Sequence, residues 1–139
     1  MRDFQAVGNE IHVLINSDQD IVAARQKGRT LAAGLGFSSG DATLIAAAIS
    51  ELARNIVTYA KSGEIQLKEL NGSTRQGIQV VARDEGPGIP DIPQALRDGF
   101  STSGSLGLGL PGVKRLMDEF EIVSAETLGT TVTAKKWKP

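Results

Sequence analysis

The chain has 139 residues, a net charge of -1, 40% hydrophobic and 22% charged residues, no cysteine and one histidine. That length suits a single domain with its own core; the missing thiols exclude disulfides and thiolate metal sites, and a lone His12 cannot build a zinc centre or a histidine relay. The charge supplies no field to gather nucleic acid or an anionic membrane, no apolar run reaches bilayer length, and Met1-Arg2-Asp3-Phe4 leads into no hydrophobic leader, so a cytoplasmic protein with neither kind of partner is expected.

In chain order, Ile11-His12-Val13-Leu14-Ile15 is short, apolar and β-branched, and reads as a strand. Ser17 and Asp20 form a capping box ahead of Ile21, Ala24, Gly28, Leu31, Ala32 and Leu35 at helical spacing, with Gly34 and Gly36 closing that helix. Ser38 and Asp41 cap a second helix, which carries Ile45, Ala48, Ile49, Leu52 and Ile56 on one side and runs to about Tyr59. Lys61-Ser62-Gly63 makes a turn into a half-buried strand from Glu64 to Leu70. Asn71-Gly72-Ser73 turns again into a more central strand from Ile78 to Ala82. From Asp84 to about Gly109 the chain is rich in glycine and proline, with a short helical piece around Ala95-Leu96, and reads as a functional lid, over about 91–109, or a disordered insert. Leu110 to Phe120 then reads as a helix, and Glu121 to Ala125 and Thr130 to Lys136 as a strand pair across Leu128-Gly129. Strands arriving mostly in hairpins predict an α+β sandwich of two layers, with a mixed, mostly antiparallel sheet and helices on one face.

Three segments carry chemistry. On the second helix, Glu51 and Asn55 stand four residues apart on one face, beside the apolar stripe. Either they bond neighbouring backbone and water, or the Asn oxygen holds magnesium while the Glu serves as base or water-orienting group; oxygen donors suit a hard cation that keeps several waters. Asp84-Glu85-Gly86-Pro87-Gly88 follows a buried strand. It is either a plain turn, or an aspartate that accepts from an exocyclic amine such as adenine N6 beside glycines that admit a flat ring. Gly104-Ser105-Leu106-Gly107-Leu108-Gly109-Leu110-Pro111 runs into a helix. Its backbone N–H groups and the helix dipole suit phosphates, Ser101, Thr102 and Ser103 add hydroxyls, and Pro111 fits the first helical turn. A flexible linker is the other reading of that segment.

Common nucleotide motifs do not explain these segments. Gly107-Leu108-Gly109 follows a lid instead of a strand, no GxxxxGK[ST] pattern occurs, and the HRD and DFG pieces of the large protein kinases are missing. In this order, the three segments resemble the GHKL ATPase superfamily: Glu51 and Asn55 match its N box, Asp84-x-Gly86-x-Gly88 its G1 box, and Gly107-Leu108-Gly109 its G2 box. Asp20 to Arg25, Ser50 to Asn55, Asp84 to Asp91, Gly99 to Gly104 and Leu110 to Phe120 are similar, more narrowly, to the stressosome switch kinases, close to the anti-sigma-factor kinases.

That resemblance implies one GHKL (Bergerat-type) ATPase domain over 1–139 and an ATP- and Mg2+-dependent serine/threonine kinase. Its substrates would be STAS-domain proteins, the stressosome scaffold and antagonist, and when released it would bind and activate a PP2C-type phosphatase. Asn55 would hold Mg2+, Glu51 would act on the incoming hydroxyl, and Asp84 would read adenine with Gly86 and Gly88 packed near the base. Ser101, Thr102, Ser103, Gly104, Gly107, Leu108, Gly109 and Leu110 would surround the phosphates. Arg54, Thr58 and Tyr59 lie close by and are given structural roles, Arg54 being the first exception to consider. A sensor histidine kinase fits poorly, because His12 lies in an expected strand. The rival is a nucleotide-gated capture module, an anti-sigma factor or phosphatase activator with little turnover; an intact Glu51–Asn55 pair favours catalysis, since phosphoryl transfer depends on placing metal and nucleophile.

Overall fold

Ile11, Val13 and Ile15 recur at every second position, and they turn one face of a strand toward a helical layer. The computed structural model describes residues 4–5, 10–86, 109–125 and 129–139. Its strands are β1 (Phe4–Gln5), β2 (Glu10–Ile15), β3 (Gly63–Asn71), β4 (Gln76–Asp84), β5 (Glu119–Ala125) and β6 (Gly129–Trp137). They form one sheet in the order β1-β2-β3-β4-β6-β5. The helices are α1 (Asp18–Gly34), α2 (Ser39–Asn55) and α3 (Gly109–Leu116), and a π-helical turn, Ile56–Ala60, extends α2.

The inner faces of β2, β3, β4 and β6 meet all three helices in a single core, in which Ile15, Ile45, Ile49, Leu52, Ile65, Leu67, Ile78, Val80 and Val113 are fully buried. Residues of the opposite parity, such as Leu14 and Val123, face outward and are exposed. The expected two-layer α+β sandwich is therefore the fold, and β4, between β3 and β6, is the interior strand that its apolar run predicted. Among the described residues, no helix is long and apolar enough to cross a membrane.

Both helix starts form as their sequences dictate. The Asp20 carboxylate accepts from the backbone N–H of Asn16 at 2.8 Å and of Ser17 at 3.1 Å, and Ser38 Oγ accepts from Asp41 N–H at 3.0 Å. Gly28 lets α1 lie directly on α2, because a Cβ there would collide with Ile49 Cδ1.

Two expectations are corrected, and two elements were unforeseen. Every strand pairing among the described residues is antiparallel, so the sheet they form is not mixed. The helix expected to reach Phe120 stops at Leu116: Asp118 donates its N–H to Lys135 O, and Phe120 is already in β5, opposite Ala134. Alternating burial of Phe120, Ile122 and Ser124 shows the period of two that outweighs helix propensity there. The short strand β1 was not expected, nor was the π-helical turn. The helical piece near Ala95-Leu96, the lid up to 108 and the position of Leu128 lie outside the described residues.

Candidate functional site

Helix α2 carries Glu51 and Asn55 on one face, about 6 Å of helical rise apart. Buried Leu52 and Ile56 anchor that part of the helix in the core and leave both polar side chains half-buried at its edge. The Glu51 Oε1 accepts a hydrogen bond, at 3.1 Å, from the backbone N–H of Gly109, the first residue of α3. The Asn55 carboxamide makes no hydrogen bond to another described residue, and its side chain is half-buried.

The π-helical turn follows at once. Such turns widen the helix by one residue per turn and recur at functional sites. It ends on Lys61 at φ 73°, the one non-glycine residue with positive φ among those described. Its last residue, Ala60, packs on Gly86, where a Cβ would lie 2.6 Å from the Ala60 Cβ. The turn thereby ties the Glu51–Asn55 helix to the end of β4.

Asp84 closes β4, opposite Gly63 of β3 and Thr130 of β6. Its Oδ1 accepts from Gly86 N–H at 2.9 Å, which leaves Oδ2 uncommitted among the described residues. Three glycines enclose it. A Cβ on Gly63 would meet Arg83 O at 2.5 Å and Asp84 Cβ at 3.1 Å, and one on Gly129, at φ 88°, would collide with Asp84 O. Thr130 is buried, and its Oγ1 lies 2.8 Å from Ser124 Oγ.

The structure pairs Glu51 with Gly109 and Asp84 with Gly86, and it packs Ala60, at the end of the turn that continues the Glu51–Asn55 helix, on Gly86. Leu110 is adjacent to Gly109, but its side chain is buried in the core, so its backbone is what it can offer a ligand. Gly88, Ser101, Thr102, Ser103, Gly104, Gly107 and Leu108 lie outside the described residues. Arg54 is half-buried and Thr58 and Tyr59 are exposed. Sequence reasoning missed Gly63, Gly129 and Thr130. Both glycines were legible as turn signals, but strand register alone shows that they converge on Asp84.

The donor set fits nucleotide and magnesium. An open carboxylate oxygen suits an amine donor, and a carboxamide oxygen suits a hard cation. No cluster of three acidic or imidazole ligands occurs among the described residues. A groove of about 610 Å3 between Ile11 of β2 and Lys27 and Leu31 of α1, with Leu35 just beyond that helix, contains none of these residues.

A strand-end aspartate, a helix-borne Glu–Asn pair and a glycine-started third helix on one antiparallel sheet define an ATPase domain of the histidine kinase-like type. A family model described as histidine kinase-like ATPase domain matches residues 16–136, and the chain belongs to that family. Over 125 residues, 90% of this chain and 94% of the relative, it is 54% identical to the serine/threonine-protein kinase RsbT of Bacillus subtilis (strain 168). The chain is a protein serine/threonine kinase of this ATPase family. An anti-sigma F factor of Halalkalibacterium halodurans is 32% identical over 101 residues, 69% of each chain. The crystal structure of the RsbU and RsbW domains of a Mycobacterium tuberculosis protein shares the fold, with a TM-score of 0.65 and 20% identity over 94% of this chain. This chain spans 33% of that longer protein.

Proposed function

We propose that residues 1–139 act as one kinase domain that transfers the γ-phosphoryl group of ATP to a serine or threonine of a STAS-domain protein, in the cytoplasm, within a stressosome-type module. The partners are the STAS scaffold and antagonist, and on release from them the kinase binds and activates a PP2C-type phosphatase. Kinship with RsbT and with anti-sigma factors supports a partner-switching role.

The observation that carries the catalytic reading is the pairing, one helical turn apart, of the Glu51 carboxylate with the half-buried Asn55 carboxamide, on a helix tied through Ala60 to the Asp84 corner. Asp84 accepts the adenine amine through Oδ2, and Gly86 and Gly88 admit the ring. Asn55 offers its oxygen to Mg2+, which supplies neutralisation of phosphate charge when bound. The lid over about 91–109, with Ser101, Thr102, Ser103, Gly104, Gly107, Leu108, Gly109 and Leu110, encloses the phosphates. Glu51 takes the proton of the partner's hydroxyl as its oxygen bonds to the γ-phosphorus, while the bond from that phosphorus to the β–γ bridging oxygen breaks and ADP leaves with the electron pair.

Replacing Glu51 by Gln tests this directly. Phosphotransfer is expected to fall by at least ~100-fold with nucleotide binding retained, since loss of a general base removes about that much rate. Unchanged transfer would contradict the role given to Glu51.

A further inference from the structure

The N–H of Gly109 does not point into open space. It is donated to Glu51 Oε1, 58 residues away in the chain, at 3.1 Å. Gly109 begins α3, and the first N–H groups of a helix have no partner within the helix itself. A carboxylate at that position also meets the positive end of the α3 dipole. Leu110, Pro111, Gly112 and Val113 of α3 are buried, with Val113 fully so, and α3 packs chiefly on α2, the helix that carries Glu51. A donor on one packed helix therefore holds an acceptor on the other. Gly109 has a φ of 67°, which presents this N–H at a backbone conformation that L side chains rarely adopt.

We infer that Gly109 is the positioning residue for Glu51, an inference that rests on the kinase reading above. Its N–H engages Oε1 and leaves Oε2 as the oxygen that receives the substrate proton. A glycine in this loop is expected to give its N–H to phosphate; here the N–H belongs to the base, and any phosphate lining by Gly109 comes from its bare Cα. The first residue of α3 thereby sets the orientation of the base, so transfer depends on how α3 is seated.

Deleting that one N–H separates the two roles. A full-length chain ligated with glycolic acid in place of Gly109 carries an ester there, and because a first-turn N–H is not part of the helical ladder, α3 keeps its own hydrogen bonds. With the partner protein saturating, kcat is expected to fall by about 10- to 100-fold, the loss of a hydrogen bond to a charged group. KM for ATP is expected to stay within about twofold, because uniform binding is untouched. In the unmodified backbone, Glu51→Gln should shift the Gly109 amide proton resonance of the free protein. A raised KM at constant kcat would make Gly109 a phosphate contact and overturn the positioning role; so would a Gly109 resonance indifferent to Glu51→Gln. Absence of ATP binding and transfer in the wild-type chain would overturn the kinase reading itself, and the positioning role with it.

Discussion

The Asp84 corner and the Glu51–Asn55 turn are held in opposite ways. Asp84 is fixed by backbone alone: ladder partners on both sides, an Asx-type bond to Gly86, and three glycines whose missing side chains leave room for nothing else. The Glu51 carboxylate depends on one hydrogen bond reaching across from α3, and Asn55 has no partner among the described residues. Under the proposed kinase mechanism the contrast has a use: a base-reading group can be built once into a sheet, whereas groups that meet a reacting phosphate must accommodate charge that arrives and leaves, which side chains on a helix edge do better.

The comparison breaks most easily at Gly129. Gly129→Ala forces an L side chain to φ 88° against Asp84 O, with an expected cost of about 2–4 kcal/mol from backbone strain and overpacking. Denaturant midpoints measure that loss. Nucleotide affinity at fixed folded fraction should fall too, since the aspartate moves; a chain that loses stability with no change in affinity would show that Asp84 is not held by this corner.

A smaller effect sharpens the other side. Lys61 ends the π-helical turn at φ 73°, and Lys61→Gly is expected to stabilise the chain by about 0.5–1 kcal/mol, relief of strain less the extra freedom of the unfolded glycine. Thermal unfolding of the two chains checks it, and a destabilised variant would mean that the lysine side chain, not the backbone, shapes the turn.

The smallest effect serves as a control away from both regions. On the outer sheet face His12 bonds Glu64 at 2.7 Å and lies 3.6 Å from Glu10, with Arg83 at 3.7 Å from the other Glu64 oxygen. The hydrogen bond that the ring donates to Glu64, then the Glu64 charge and the interactions with Glu10, raise the His12 pKa above its ordinary 6.5 against the opposing effect of burial. The folded state therefore favours the charged ring. Its contribution is full below about 6.5 and is lost as pH rises through the raised folded value. His12→Gln should remove that slope from stability-versus-pH curves while leaving nucleotide affinity alone; altered affinity would couple the outer face to the site.

Much of this was legible in the chain. Capping residues at Ser17–Asp20 and Ser38–Asp41, and the stripe through Ile45, Ile49 and Leu52, dictate the two long helices through local hydrogen bonds and a 3.6-residue period. Glu51, Asn55 and Asp84 were singled out by their spacing and by the glycine motifs that follow in order, and the helix and strand end expected to carry them are the ones that do. What the sequence hid depends on long-range pairing. The convergence of Gly63 and Gly129 on Asp84 is a matter of register, and the bond from Gly109 to Glu51 depends on helix packing. Phe120 misled for a local reason: its period-two run begins directly after a helical one, and a turn at Met117–Asp118 separates them without glycine or proline.

The most direct test of the account is transfer of labelled phosphate from Mg-ATP to a purified STAS-domain partner, with Asp84→Asn as the control. The account predicts label on a serine or threonine of the partner, and loss of that label in the variant through an ATP affinity weakened by about 10-fold or more, the worth of a charged hydrogen bond. ATP binding without transfer would contradict it and leave a nucleotide-gated capture module in its place.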